Sequence, residues 1–340
     1  MSLPTTRRLS GTALLGSVRE NLSHYRQSVE STGRRVAIIR FSASDDNSPS
    51  WKLRMEASRV SAEQKVKAFS HLGYEVDHQI LAPTVSDAEF SDRLSRLNED
   101  PLTSAVIVQF PPPPELAPLV QHLAPAKDID GLLEDRSLQP ACATADGITR
   151  LVTPFASDNP TIAVVGARGF VGGGVVRLLA AQGHQVQELD AGDDLRALRD
   201  ADIVVSATGQ PHLLTREHIH PHHRVVVDSG FMPRPDGTVA GDIHPSATTV
   251  PQCITPVPGG VGPVEMAVLM ERVVRQDVDP GLKSWASPPV PYLTQSQVAA
   301  VSASVPTQGV GQRVAPAAPP AQGLRLPQPA PRQGQSGRSL

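Results

Sequence analysis

The chain contains little cysteine and no long apolar run. Cys142 and Cys253 are the only cysteines among 340 residues, which excludes a disulfide framework and a four-cysteine zinc site. No stretch approaches the roughly 20 apolar residues of a membrane span, and the apolar residues 13–15 are too few for a secretory signal. We therefore expect a soluble, cytoplasmic protein without a metal site or a membrane partner.

The chain also lacks an excess of positive charge. Its formal net charge is −3, which argues against a nucleic-acid-binding surface. Acidic residues are absent from positions 280–340, where 11 of the 33 prolines stand among Gln, Ala, Ser and Gly. Such a segment buries too little apolar surface to offset its ordering entropy, so we expect a disordered tail over residues 279–340. A passive extension is favoured over a partner-binding arm.

Short apolar runs alternate with helical patterns over the rest of the chain, and 340 residues suggest two domains. The alternation predicts an α/β fold with parallel sheets and helices on both faces of each. We expect strands at 35–41, 74–81, 104–109, 161–165, 184–189, 201–207 and 224–228, and helices at 57–72, 86–97 and 171–182. The predicted domains are 1–155, a Rossmann-type unit at 156–262, and a helix at 263–278 that completes the first.

A glycine-rich turn follows the strand predicted at 161–165 and opens a helix. The residues that we expect to hold a dinucleotide pyrophosphate there are Gly166, Ala167, Arg168 and Gly172, through backbone N–H groups and the helix dipole. Asp190 ends the next strand, where a carboxylate accepts hydrogen bonds from a ribose and repels a 2′-phosphate. This position favours NAD over NADP, while the alternative is a solvated loop carboxylate.

Residues 254–263 read Ile-Thr-Pro-Val-Pro-Gly-Gly-Val-Gly-Pro. Three prolines restrict φ and three glycines allow backbone shapes that other residues avoid, so the run predicts one rigid path that ends at a helix. The apolar pattern of 264–274 leaves Glu271, Arg272 and Arg275 outside it. On spacing alone, an ordinary tight loop explains the run equally well.

Several motifs together resemble those of the methylenetetrahydrofolate dehydrogenase/cyclohydrolase (FolD) family. The proline–glycine run is similar to the family signature, and Lys-Asp-Ile-Asp-Gly at 127–131 and Val-Gln-Phe-Pro at 108–111 are similar to two further motifs. Residues 57–68 resemble the catalytic helix, which places Lys65 on the catalytic lysine. The resemblance covers roughly residues 10–278.

The resemblance implies a site for folate and a dinucleotide between two domains. Lys65 would have a lowered pKa in a partly dry cleft and would exchange protons there. Gln109 would contact this lysine. Asp130 would hold the pterin. The implied folate-binding set is Ser61, Asp130, Pro258, Gly259 and Gly260, and the further dinucleotide-binding residues are Thr208, Gly209 and Gly262. Family habit favours NADP and a homodimer.

Ser61 stands where the family has a tyrosine that packs against folate. The serine keeps a hydroxyl but loses an aromatic contact worth about 0.5–1.5 kcal/mol. The segment 42–56 before the catalytic helix is expected to be a long loop, in which Trp51 is a candidate substitute aromatic surface.

The expected activity is oxidation of 5,10-methylenetetrahydrofolate with NAD(P)+, followed by hydrolysis to 10-formyltetrahydrofolate. Two alternatives remain: a dehydrogenase without the hydrolytic step, and a folate- or nucleotide-binding protein without turnover. For single residues, ordinary structural roles also remain as alternatives. The main ones are a solvated surface lysine at Lys65 and a turn aspartate at Asp128.

Overall fold

The computed structural model describes residues 6–283, 285 and 292–293. The strands are β1 (Arg7–Leu9), β2 (Arg35–Phe41), β3 (Glu75–Leu81), β4 (Thr103–Val108), β5 (Ile162–Val165), β6 (Val186–Leu189), β7 (Ile203–Ser206), β8 (Val225–Asp228), β9 (Met232–Pro233), β10 (Val239–Ala240), β11 (Cys253–Ile254) and β12 (Tyr292–Leu293). The α-helices are α1 (Gly11–Leu22), α2 (Arg26–Thr32), α3 (Pro49–His71), α4 (Asp87–Glu99), α5 (Ala143–Val152), α6 (Phe170–Ala181) and α7 (Val261–Asp277).

Two sheets form the framework. The first has the order β3–β2–β4 and is parallel throughout. The second has the order β12–β1–β11–β8–β7–β5–β6, parallel except where β12 pairs with β1. Strands β4, β5, β7 and β8 are buried at every residue, as expected for Val- and Ile-rich strands covered on both faces. The α/β prediction with parallel sheets is confirmed.

Helix α3 begins eight residues before the predicted start at residue 57. Ser48 caps it, since its hydroxyl accepts a hydrogen bond from the backbone N–H of Trp51 at 3.2 Å, and Pro49 occupies the first turn. The expected loop at 42–56 is therefore wrong in its second half. Trp51 packs against the apolar cluster that contains Phe41 and Phe90, and it does not line the cavity described below.

Helix α7 packs against α1, α3 and α5. Two of its charged residues, Glu271 and Arg272, are only 4% and 3% exposed, although the apolar pattern leaves them out. Arg272 donates hydrogen bonds to the carbonyl oxygens of Ile129 and Ala141, at 3.0 and 2.9 Å. These bonds tie α7 to the chain that leads from β4 to α5.

Three helices, α1, α2 and α5, have no counterpart in the sequence predictions. Most of the predicted disordered tail at 279–340 lies outside the described residues. At its start, Leu282 and Trp285 pack against the core, and the backbone N–H of Trp285 donates to Glu271 at 2.8 Å. Across the described part of the chain, every helix is too short or too polar to cross a membrane.

Candidate active site

A cavity of about 380 Å³ opens between the two sheets. One wall comes from α3, which contributes Ser61 among others, and from residues 109–111 after β4. The opposite wall comes from residues 256–263 and from residues 228–232 after β8. The proline–glycine run therefore faces the predicted catalytic helix across one space.

The backbone of the proline–glycine run is fixed by close contacts. Gly259 has a φ of 98°, and its carbonyl oxygen accepts a hydrogen bond from the N–H of Thr12 at 3.1 Å. A Cβ atom at Gly260 would lie 2.5 Å from the carbonyl oxygen of Pro256, closer than van der Waals contact allows. These positions require glycine, because a side chain at either one would displace the loop.

Lys65 is 1% exposed and does not itself line the cavity, but its three hydrogen-bond partners do. Its Nζ donates hydrogen bonds to Ser61 Oγ at 3.1 Å, to Gln109 Oε1 at 3.0 Å and to Glu265 Oε1 at 2.5 Å. The expected contact between Gln109 and the lysine is present. The solvated-lysine interpretation is wrong, because the ammonium group is buried and fully hydrogen-bonded.

The pKa of Lys65 does not move in the expected direction. Burial alone would lower it, but the carboxylates of Glu265 and Asp130 outweigh burial and hold the pKa above its ordinary value. The prediction of a lowered pKa is therefore wrong. It considered the dry surroundings of the lysine and not the two acidic side chains that the fold brings beside it.

Asp130 and Asp128 occupy different surroundings. Asp128 accepts hydrogen bonds from three backbone N–H groups, those of Gly131, Leu132 and Leu133, at 2.8–3.0 Å, so it is the turn aspartate. Asp130 is 9% exposed and does not line the cavity directly. Burial raises its pKa to about 6, against the opposing charge of Lys65.

The predicted dinucleotide residues meet at the carboxyl ends of neighbouring strands. A Cβ atom at Gly166 would lie 2.6 Å from the carbonyl oxygen of Ala207, and one at Gly172 would meet the carbonyl oxygen of Gly166. The turn is thus a tight backbone cradle that opens α6. The backbone N–H of exposed Arg168 donates to Asp190 Oδ2 at 2.8 Å. This bond holds the carboxylate of Asp190, the residue after β6, at the rim of the turn.

The remaining predicted dinucleotide residues follow β5 and β7 or lie at the start of α7. Thr208 and Gly209 follow β7, and the N–H of Thr208 donates to buried Asp242 at 2.9 Å. Gly262 lines the cavity in the first turn of α7. Ala167 is 4% exposed beneath the cradle. The sheet order β8–β7–β5–β6 places the ends of these strands along one edge, where parallel sheets bind ligands.

Sequence reasoning missed Glu265, which pairs with Lys65 although 200 positions separate them. It also missed Asp228 and Asp242, which lie side by side at the edge of the cavity. The available signal for Glu265 was its place two residues after the proline–glycine run, near the start of the following helix.

Comparisons with known proteins agree with this geometry. The family profile described as "Tetrahydrofolate dehydrogenase/cyclohydrolase, catalytic domain" matches residues 9–130, and the one described as "Tetrahydrofolate dehydrogenase/cyclohydrolase, NAD(P)-binding domain" matches residues 142–279. The chain belongs to this family. Within the family, it is 32% identical over 288 residues to "Bifunctional protein FolD" of Bordetella avium, covering 80% of this chain and 97% of the relative.

Solved structures of the family are similar along most of the chain. The bifunctional FolD methylenetetrahydrofolate dehydrogenase/cyclohydrolase of Campylobacter jejuni aligns with a TM-score of 0.68 and 25% identity, over 80% of this chain and 98% of that one. The FolD enzyme of Trypanosoma brucei, solved with NADP cofactor and an inhibitor, gives a TM-score of 0.68 and 26% identity, over 80% and 97%. The predicted membership of the family is confirmed.

Proposed function

We propose that this chain oxidises 5,10-methylenetetrahydrofolate with NAD(P)+ and hydrolyses the methenyl product to 10-formyltetrahydrofolate. The observation that carries the proposal is the hydrogen bond from Lys65 to Gln109, which lies in one wall of a cavity whose other wall is the 256–263 loop. The names of the bifunctional relatives add support. On this proposal, Ser61, Pro258, Gly259 and Gly260 contact the folate, and Asp130 acts on it from behind the lysine.

The chain's residues fit a dinucleotide. The cradle at Gly166 and Gly172 leaves room for backbone and phosphate but not for a Cβ atom, and the N-terminus of α6 favours an anion. Arg168 and Asp190 lie at its rim, and on this proposal Thr208, Gly209 and Gly262 contact the nicotinamide half of the dinucleotide. When bound, a dinucleotide would supply the hydride acceptor for oxidation of the folate. The chain supplies mainly orientation for that step, which needs no proton transfer from a side chain.

Replacement of Lys65 should lower the rate of hydrolysis more than the rate of dehydrogenation. We expect Lys65→Met to abolish hydrolysis of methenyltetrahydrofolate, because the neutral side chain can no longer hold Gln109 and Glu265 at the base of the cavity. Dehydrogenation should fall less, since it depends on positioning. Both rates are measured by absorbance with the purified enzyme.

The matched control is Lys67→Met, an exposed position on the same helix, which should keep both rates. Full hydrolysis by Lys65→Met would contradict the proposal.

A dehydrogenase without hydrolysis is the second candidate. Two observations favour it. Ser61 stands in place of an aromatic side chain, and Lys65 is held in an ion pair with Glu265. A purified sample that forms NAD(P)H from methylenetetrahydrofolate, but leaves methenyltetrahydrofolate unhydrolysed, would select it. The assay run with NAD+ and NADP+ separately also decides between the two dinucleotides.

We also propose a cytoplasmic homodimer, as expected for the family. The composition of the chain supports the cytoplasm. Light scattering on the full chain tests the dimer, and a mass of one 36.1 kDa chain would contradict it.

A further inference from the structure

All three N–H groups of the Lys65 ammonium are used. They point to the oxygens of Ser61, Gln109 and Glu265 at 2.5–3.1 Å. An ammonium has three protons and no lone pair, and each proton here already has an acceptor. Lys65 in this arrangement cannot accept a proton from water. Hydrolysis needs a group that accepts this proton, so another residue must do so.

Glu265 has the free acceptor that Lys65 lacks. One carboxylate oxygen, Oε1, is held by Lys65, and within residues 6–283 the other oxygen, Oε2, accepts no hydrogen bond. The side chain is 16% exposed and lines the cavity from the fifth residue of α7. Its free oxygen is therefore available to a water molecule in the space where the substrate would lie.

Other charged groups around the cavity are less suited to this step. Asp228 is the other carboxylate that lines the described cavity, but its two oxygens accept hydrogen bonds from three backbone N–H groups. Asp130 is buried behind Lys65 and does not reach the cavity. Arg54 lines the cavity as a cation and accepts no proton.

We infer that Glu265 is the general base of the hydrolytic step and that Lys65 is the positioning residue that orients it; this inference rests on the proposed function. Water adds to the carbon between N5 and N10 of methenyltetrahydrofolate. The new C–O bond forms as the π electrons of the C=N5 bond move to N5, and the proton of water passes to Glu265 Oε2.

The tetrahedral adduct then collapses. Glu265 returns its proton to N5, the C–N5 bond breaks, and the remaining hydroxyl loses its proton as the formyl C=O forms on N10. The sum is one water consumed and one proton released to solvent for each 10-formyltetrahydrofolate, with no change of oxidation state.

Glu265→Gln tests this assignment, because it keeps the shape of the side chain and an oxygen for Lys65 but removes the base. Hydrolysis of methenyltetrahydrofolate and NAD(P)H formation from methylenetetrahydrofolate are measured on the same samples. General acid–base catalysis contributes about 10²–10⁴-fold, so we expect the ratio of hydrolysis to dehydrogenation to fall by about 100-fold or more. The fall should be in kcat for hydrolysis, with KM changed by less than about threefold.

The matched control is Glu63→Gln, on the same helix as Lys65 and half exposed, where Glu63 pairs with Arg59. Its ratio should stay at the wild-type value. If Glu265→Gln does not fold, Glu265→Asp decides, because it keeps the charge beside Lys65 but withdraws the carboxylate by one methylene. A ratio at least tenfold lower in Glu265→Asp supports the inference.

An unchanged ratio in the folded Glu265 variant would overturn the inference while leaving the proposed function standing. Failure of the proposed function looks different, since the wild-type enzyme would then act on neither folate substrate.

Discussion

Asp228 and Asp242 lie side by side at the edge of the cavity and are 3% and 0% exposed. The backbone N–H of Asp242 donates to Asp228 Oδ1 at 2.9 Å, and Asp242 Oδ2 accepts from the hydroxyl of Ser206 at 2.8 Å. Burial, and then the nearby charge of Asp242, raise the pKa of Asp228 to about 6. The three backbone N–H groups that donate to Asp228 oppose this shift without cancelling it.

The raised pKa gives a stability prediction with a definite sign. Folded Asp228 binds its proton more tightly than unfolded Asp228, so this residue stabilises the fold at low pH and the contribution is lost as pH rises from about 4 to about 6. A shift of two pKa units corresponds to about 3 kcal/mol at most. We expect a carboxyl titration of Asp228 near 6 by NMR, and a lower midpoint in Asp242→Asn. A midpoint near 4 in the wild-type protein would contradict the prediction.

Helix α7 carries two residues of a buried ionic network, in addition to Glu265, which pairs with Lys65. Arg272 donates to Asp146 at 3.0 Å, and Arg150 pairs with Asp146 and with Glu271, at 2.7 Å each. The network joins α5 to α7 across the helix pair that faces the second sheet. It fixes the direction of α7, and therefore the place of its first turn at the cavity.

Removing one partner of a buried ion pair leaves an uncompensated charge. We expect Arg272→Met to lower the free energy of unfolding by about 3–5 kcal/mol, measured by urea denaturation. The comparison is Arg96→Met, whose side chain is 78% exposed in a helix-surface pair and should cost less than about 1 kcal/mol. Equal losses for the two variants would show that the network does not stabilise the helix pair.

The seven strands from β2 to β8 were predictable from sequence, whereas the short strands β1 and β9–β12, the ionic network and the Lys65–Glu265 pair were not. A strand buried on both faces shows itself as a continuous apolar run, as in β4 and β7, whatever its neighbours are. A glutamate five residues into a helix is unremarkable by itself, because glutamate is a common helix-forming residue. The meaning of Glu265 depends on Lys65, which only the folded chain brings near.

At the scale of the whole molecule, the cavity and the dinucleotide cradle both lie at the carboxyl ends of strands in the second sheet. Residues 228–232 follow β8 and line the cavity, while the cradle follows β5, two strands away in the same sheet. The carboxylate of Asp190 follows β6 at the far side of the cradle. Folate and dinucleotide would thus approach each other along one row of strand ends.

Asp190 should control the choice of dinucleotide. With the ribose bound beside the cradle as proposed, the carboxylate would repel a 2′-phosphate. We therefore expect Asp190→Ser to lower the ratio of kcat/KM for NAD+ over NADP+ by about tenfold or more, equivalent to about 1.4 kcal/mol. Rates with the two dinucleotides at equal folate concentration give the ratio. Asp200→Ser, at a position 75% exposed outside the cradle, should leave the ratio unchanged. If the Asp190 variant also leaves it unchanged, the carboxylate does not select the dinucleotide.

Strand β1 has a consequence for how the chain can be divided. The two family profiles split the sequence near residues 130–142, yet β1 lies at Arg7–Leu9 and pairs with β11 in the second sheet. A fragment cut at this split and expressed alone would carry β11 without its neighbour, leaving an open strand edge that invites aggregation. The halves are therefore interlocked through the start of the chain, and a split-protein design would have to carry β1 with the later half.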